Sequence, residues 1–299
     1  MARRVRLAFA REIKPVPTPA RQRKRSLHAA VAVGPRGSCV RRAGVAAALL
    51  FAGLLAARAA EPASRHVNPD VLWHIVHDRC VPDLARFHTP LPCIKVDLHA
   101  GYALLKDLDG ATQVLLIPTA RVTGIEDPAV RAPGAPDYLQ LAWASRGTVS
   151  ALAGRALPRQ DLALAVNSIA GRTQNQLHIH IDCIDPKVRG ALAARLGAIG
   201  TRWARFPGTL PGGPYLVRRL NSPDLAGVNP FRLLAEQVPG AAAAMGRWTL
   251  GLAGVHLPHG GRAGFVLLAA RTDPATGTVG AAERLLDHGC AVAHAAAEN

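Results

Sequence analysis

From Gln176 to Cys183 polar and apolar residues alternate without a break. Successive strand side chains point to opposite faces of a sheet. Gln176, His178, His180 and Asp182 therefore share one face, and Leu177, Ile179, Ile181 and Cys183 the other. One face is core. The other lines up two imidazoles, roughly 7 Å apart by strand geometry. A one-residue slip would put the histidines in the core, so the register is strongly specified.

The flanking sequence extends this into an α+β chain. Residues 68–79 carry Val71, Leu72, Ile75 and Val76 on one helical face. Residues 81–93 are rich in proline and read as a loop. Gly101–Leu105 and Gln113–Ile117 read as strands across a turn at 107–110, and 118–136 as a surface loop. Pro136-Asp137 opens a helix to about Leu152. Leu162–Asn167 is an apolar strand and the antiparallel partner of Leu177–Ile184. Asp185-Pro186 is an acid cap with proline at the first helical position. A helix over 231–245, a hairpin of 248–255 with 264–270, and a short helix near 281–293 complete the chain. Helices interspersed with hairpins predict a mainly antiparallel sheet with flanking helices.

Charge divides the chain in two. The 299 residues carry a formal net charge of +16, which on its face suggests nucleic acid. Residues 1–42 hold twelve basic residues and one acid; from Glu61 onward there are 23 basic and 19 acidic residues, a net of +4. Aromatics are 4%, too few for base-stacking platforms. Nucleic acid is therefore not expected as a partner. The apolar run 43–57, closed by Arg58, is shorter than the roughly 20 residues of a spanning helix. A basic flank, a short apolar stretch and a possible Ala57-Arg58-Ala59 cleavage point match a secretory signal, with an uncleaved anchor as the close competitor. The expected organisation is a leader or anchor at 1–60 and one domain at 61–299, exported to the periplasm or held on the periplasmic face of the inner membrane.

Cysteine usage agrees with export. Cys80, Cys93, Cys183 and Cys290 follow the leader, and an even count outside the cytoplasm reads as two disulfides. Three pairings are open. Cys80–Cys93 closes a short loop and leaves Cys183–Cys290; buried free thiols are the other reading. The spacing fits no zinc finger.

Upstream of the histidine strand lies a loop of Gly171, Arg172, Thr173, Gln174 and Asn175, rich in hydrogen-bond donors that suit phosphate oxygens. Three readings of the whole stretch stand together. The histidines are satisfied surface residues; or His178 and His180 ligate a metal, with Asp182 on the same face; or an imidazole acts as nucleophile in phosphoryl or nucleotidyl transfer.

The stretch NSIAGRTQNQLHIHIDC at 167–183 resembles the histidine triad (HIT-like) superfamily, whose signature is His-x-His-x-His with apolar x on a strand. With AGYALLKDLDG and QVLLIPTARVTGIE within 100–126, the four cysteines and Asp287-His288-Gly289-Cys290, the chain is similar to the bacterial CDP-diacylglycerol pyrophosphatases, also called CDP-diacylglycerol phosphatidylhydrolases. The likeness spans roughly 68–290. It implies a HIT-like fold and hydrolysis of CDP-diacylglycerol to CMP and phosphatidate at a membrane surface. It also implies that His178 is the nucleophile and that His180 contacts the phosphate and supports the leaving group. Asn167 matches the family's loop asparagine, Thr173 the hydroxyl near the leaving oxygen, and Asp107 the aspartate that holds the ribose. Gln176 stands where the first histidine is expected, and Gln176→His is expected to be tolerated. Lys106, Arg172 and Gln174 are read as further phosphate partners. No metal or other cofactor is expected, because positioning and donors can carry the charge. A soluble nucleotide hydrolase or nucleotidyltransferase, and a non-catalytic periplasmic nucleotide- or lipid-binding protein, are the alternative functions. The oligomeric state is not legible.

Overall fold

The structure is a computed structural model that describes residues 68–258 and 260–294. The expected leader and its apolar run lie outside the described residues. Among these residues no helix is long and apolar enough to cross a membrane.

The chain opens with a helical stretch of three parts: α1 (Val71–Ile75), a π turn (Val76–Cys80) and α2 (Val81–Phe87). The expected loop from residue 81 is thus helical as far as Phe87. Pro82 sits near the start of α2. His88, in the left-handed region, ends the helix.

Among the described residues nine antiparallel strands follow: β1 (Lys95–Asp97), β2 (Tyr102–Lys106), β3 (Val114–Pro118), β4 (Leu162–Val166), β5 (Ile179–Cys183), β6 (Ala204–Arg205), β7 (Leu216–Leu220), β8 (Trp248–His256) and β9 (Ala263–Arg271). Their order in the one sheet is β1-β2-β3-β5-β4-β8-β9-β7-β6. The three expected pairings are present: β2 with β3, β4 with β5, and β8 with β9. Strands β1, β6 and β7 carry no strong alternation and went unread.

Three helices are interrupted where their periodicity suggests continuity. The one opened by Pro136-Asp137 divides into α3 (Tyr138–Ala144) and α4 (Gly147–Leu152). At the break the Ser145 hydroxyl donates back to the Leu141 carbonyl at 2.8 Å. Past α5 (Pro186–Arg195), helix α6 (Pro230–Gln237) stops because Pro239 forces Val238 into an extended conformation; a 3-10 turn (Ala242–Arg247) follows. The C-terminal helix resolves into a 3-10 turn (Ala282–Leu285), a bridge of Leu286 to Ile184, and α7 (Ala291–His294).

The alternation of β5 sets the layers. Leu177, Ile179, Ile181 and Cys183 pack into the large core, with Leu104, Leu116, Leu164 and Leu252 of neighbouring strands and the apolar sides of α3 and α6. The opposite sheet face carries two separate clusters. One places Leu72 and Val76 over Ala103, Leu105, Leu115 and Ile117. The other places Val188 and Leu192 of α5, with Ala282 and Leu285, over Ala163, Ala165, Ala253 and Leu268. His180 pairs with Leu115 on one side and Ala165 on the other. The histidine strand therefore runs along the gap between the two clusters.

Both expected disulfides form, Cys80–Cys93 and Cys183–Cys290. The second joins the end of β5 to the C-terminal segment, 107 residues away in sequence.

Candidate active site

The gap is a cavity of about 660 Å³, lined by Lys106, Asp107, Asn167, Arg172, Thr173, Gln174, His178, His180 and Glu283 on its polar side. Val71, Leu72, Ile75, Pro92, Leu105, Leu108 and Leu115 form an apolar wall. Most of the site residues read from sequence meet here.

His178 and His180 are both buried. Their rings lie 5.0 Å apart between centroids, inclined at 71°. His178 Nδ1 is 2.8 Å from the carbonyl of Gln176. A carbonyl only accepts, so Nδ1 carries the proton and Nε2 keeps its lone pair. Burial lowers the pKa of His178 against the opposing pull of that carbonyl, which keeps the ring neutral near pH 7. His180 is lowered to about 4, by burial and by His178 beside it. Neither of its ring nitrogens has a hydrogen-bond partner among the described residues. Its Nδ1 lies 3.3 Å from Glu283 Oε1, in poor alignment for a bond. Buried polar atoms left unpaired are costly and are rare away from functional sites. Satisfied surface histidines are thereby excluded.

Behind the histidines lies a charge network that the strand pattern did not reveal. Asp182, fully buried, accepts from the Thr112 hydroxyl at 2.6 Å and from His288 Nδ1 at 2.9 Å. His288 Nε2 lies 3.4 Å from Glu283 Oε1. Hydrogen bonds to Asp182 and Glu283 raise the His288 pKa to about 10, so it is an imidazolium. Glu283 is pulled down to about 2 against its burial, by His288, His180 and the amides of Asn167 and Gln113. Glu283 Oε2 accepts from Asn167 Nδ2 at 3.0 Å, and the Glu283 N–H donates to Asn167 Oδ1 at 3.2 Å. Glu283 and His288 were missed as site residues. The Cys183–Cys290 pairing was the available signal: it places His288, two residues before Cys290, beside Asp182.

Several candidate phosphate partners have other work. Arg172 forms a bidentate ion pair with Glu126 at 2.7 and 2.6 Å. Gly124 leaves room for that guanidinium, since a Cβ there would overlap it. Arg172, expected as a phosphate partner, lines the cavity with its charge already met by Glu126. Gln174 ties down the start of α1, accepting from the Leu72 N–H and donating to the Asn68 carbonyl, each at 3.1 Å. Gln176 does not line the cavity. Its amide donates to the carbonyls of Pro118 and Ala120, and its Oε1 accepts from the Val122 N–H. Lys106 Nζ donates to the carbonyls of Asp107 and Gly110, closing the 107–110 turn. The Asp107 carboxylate is held by Gln113 Nε2 at 2.5 Å and faces the cavity. Thr173 lines the cavity as expected. Among the described residues no three of His, Cys, Asp and Glu gather as a metal site requires.

A neutral imidazole with a fixed tautomer, a second neutral imidazole beside it and a polar cavity define a protein equipped for nucleophilic histidine chemistry. The comparison with known proteins is specific. The family model for CDP-diacylglycerol pyrophosphatase matches residues 67–294. The chain is 42% identical over 228 residues to the CDP-diacylglycerol pyrophosphatase of Yersinia pestis, a match covering 76% of this chain and 86% of that protein. The chain belongs to the CDP-diacylglycerol pyrophosphatase family.

Proposed function

We propose that the chain hydrolyses the pyrophosphate of CDP-diacylglycerol to CMP and phosphatidate through a covalent cytidylyl-histidine at His178. The observation that carries this reading is the His178 tautomer, with its proton held at Nδ1 by the Gln176 carbonyl and Nε2 left nucleophilic. Nε2 attacks the phosphorus attached to cytidine. The N–P bond forms as the anhydride P–O bond breaks, and phosphatidate leaves with the bonding electron pair. His180 has unused hydrogen-bonding capacity and stabilises charge on the phosphoryl oxygens or on the leaving oxygen, with Thr173 beside it. Water then cleaves the N–P bond, releasing CMP and restoring neutral His178. Asn167, oriented by Glu283, lines the same cavity, and in this reading Asp107, also on its wall, accepts from the ribose hydroxyls.

We read the fold as HIT-like, residues 61–299 as the catalytic domain and residues 1–60 as its export signal or anchor. The two disulfides support maturation outside the reducing cytoplasm. The test is turnover of CDP-diacylglycerol by the full chain, against water-soluble CDP-alcohols and dinucleotides. With wild type, CMP labelled at phosphorus should be trapped on His178. His178→Ala should lose at least about 10³-fold in kcat with an unchanged circular dichroism spectrum. Turnover at the wild-type rate in that variant removes the assignment.

A further inference from the structure

The cleft opens onto apolar surface. Its wall includes Val71 and Ile75 of α1, Pro92, and Leu108 at the tip of the 107–110 turn. Leu108 is 100% exposed. The segment from the end of α2 into β1 carries Phe87 at 66%, Leu91 at 62% and an exposed Ile94. Pro92, within that segment, touches the cavity, and Cys93 fixes it to the helical stretch through Cys80. Single exposed apolar residues are ordinary, but a group continuous with a ligand cleft marks an interaction surface.

We propose that this rim, formed by α1, the 87–94 segment and the Leu108 turn, is a bilayer-docking surface that lets the lipid substrate enter the cleft without leaving the membrane. The inference rests on the lipid-hydrolysing reading above and adds the surface by which it is done. Two observations select a bilayer. First, the rim is continuous with the apolar wall of a cleft whose polar floor holds His178 and His180. A diacylglycerol nucleotide laid on that floor has its acyl chains toward the rim. Second, the apolar run 43–57 ends 14 residues before Val71, so a leader that remains attached delivers α1 to the membrane. The charge on this face is slightly negative. Residues 68–97 hold Arg79, Arg86 and Lys95 against Asp70, Asp78, Asp83 and Asp97, and Asp109 follows Leu108. Docking is therefore by apolar insertion into the interface rather than by attraction to anionic headgroups. Zwitterionic lipid suffices, and salt has little effect.

The experiment uses the full chain with vesicles of dioleoylphosphatidylcholine and its brominated analogue, with and without CDP-diacylglycerol. Phe87→Trp keeps an apolar side chain and places a reporter on the rim. Brominated lipid should quench this variant more than wild type, equally at low and high salt. The pair Phe87→Ser with Leu91→Ser, neither of which lines the cavity, should lower kcat/KM on vesicle-borne CDP-diacylglycerol at least fivefold. Its turnover of a short-chain, monomerically soluble CDP-diacylglycerol should stay at the wild-type rate. No added quenching at position 87 overturns the proposal. So does quenching that vanishes in high salt. A dimer in lipid-free solution that the paired substitution dissociates overturns it too, because a second copy then covers the rim. Loss of soluble-substrate turnover in wild type would sink the catalytic reading while the quenching still reports on docking.

Discussion

Replacing Glu283 by glutamine tests the network behind the histidines with almost no change of shape. Glu283 faces four groups: Gln113 Nε2 at 3.3 Å, Asn167 Nδ2 at 3.0 Å, His180 Nδ1 at 3.3 Å and His288 Nε2 at 3.4 Å. Removing one partner of a fully buried ion pair costs about 3–5 kcal/mol, and of an exposed pair under about 1 kcal/mol. The Glu283 and His288 side chains are 28% and 33% exposed, so solvent screens part of the loss. His288 also keeps Asp182, so no orphan charge remains. The expected cost at pH 6 is about 1–2 kcal/mol, or about 2–4 °C in Tm per kcal/mol for a domain of this size. The pH dependence carries a sign. Glu283 is depressed from 4.5 to about 2, so its stabilisation is full above about pH 4.5 and lost as pH falls toward 2. His288 is raised from 6.5 to about 10, so its contribution is full below about pH 6.5 and lost as pH rises through 10. The Tm difference between wild type and Glu283→Gln should therefore be largest between about pH 4.5 and 6.5 and shrink on either side. Thermal unfolding by calorimetry from pH 3 to 10 measures it. A difference that is flat with pH, or absent at pH 6, refutes the network.

Gln176→His should destabilise rather than be tolerated. It breaks the bonds from the Gln176 amide to two carbonyls and leaves the Val122 N–H without its acceptor, at a cost of about 1–3 kcal/mol visible in urea unfolding. Because burial lowers the His178 pKa, the acid limb of kcat/KM should lie below pH 6.5; a limb at or above 6.5 argues against His178 as the neutral nucleophile. Cys183→Ser with Cys290→Ser opens the cross-link spanning 107 residues and should cost about 2–5 kcal/mol. Activity should fall with it, even well below the unfolding temperature, because the released segment carries Glu283 and His288; full activity in the folded variant would show that the segment holds its place without the bridge.

The parts of this molecule that were legible are those whose information is local. The period-two pattern of residues 176–183 fixes both the core face and the histidine-bearing face of this strand, and Asp185-Pro186 fixes the start of α5 because capping is a contact within one turn. Asp185 does accept from the N–H groups of Lys187 and Val188. What sequence leaves open is decided by distant partners. Arg172, Gln174 and Gln176 look in sequence like free donors beside a phosphate site. Their partners, Glu126, the Leu72 N–H with the Asn68 carbonyl, and the 118–122 backbone, come from other loops. Glu283 and His288 sit in a 3-10 turn and a tight loop with no periodicity to read. They reach the site because Leu286 bridges Ile184, the Asp287 N–H donates to the Cys183 carbonyl and the disulfide closes beside them.

That exchange of partners changes how the site must hold an anion. Taken from sequence, the donor loop promised positive charge around the pyrophosphate. In the fold Arg172 is neutralised by Glu126, Lys106 is turned onto two carbonyls, and Glu283 and Asp107 place carboxylates on the cavity wall. His288 offsets Glu283 and Asp182 from behind. Little net positive charge then faces the substrate, and uniform electrostatic attraction contributes little to binding. Such binding would stabilise substrate and transition state alike and leave kcat unchanged. What remains for the proposed mechanism are two neutral imidazoles and the fixed dipoles around them, which can act where charge develops as an N–P bond forms. Ground-state affinity must come mainly from the cytidine end and from the apolar wall, so a cleft poor in cations and open on an apolar rim is better suited to a lipid nucleotide than to a free one.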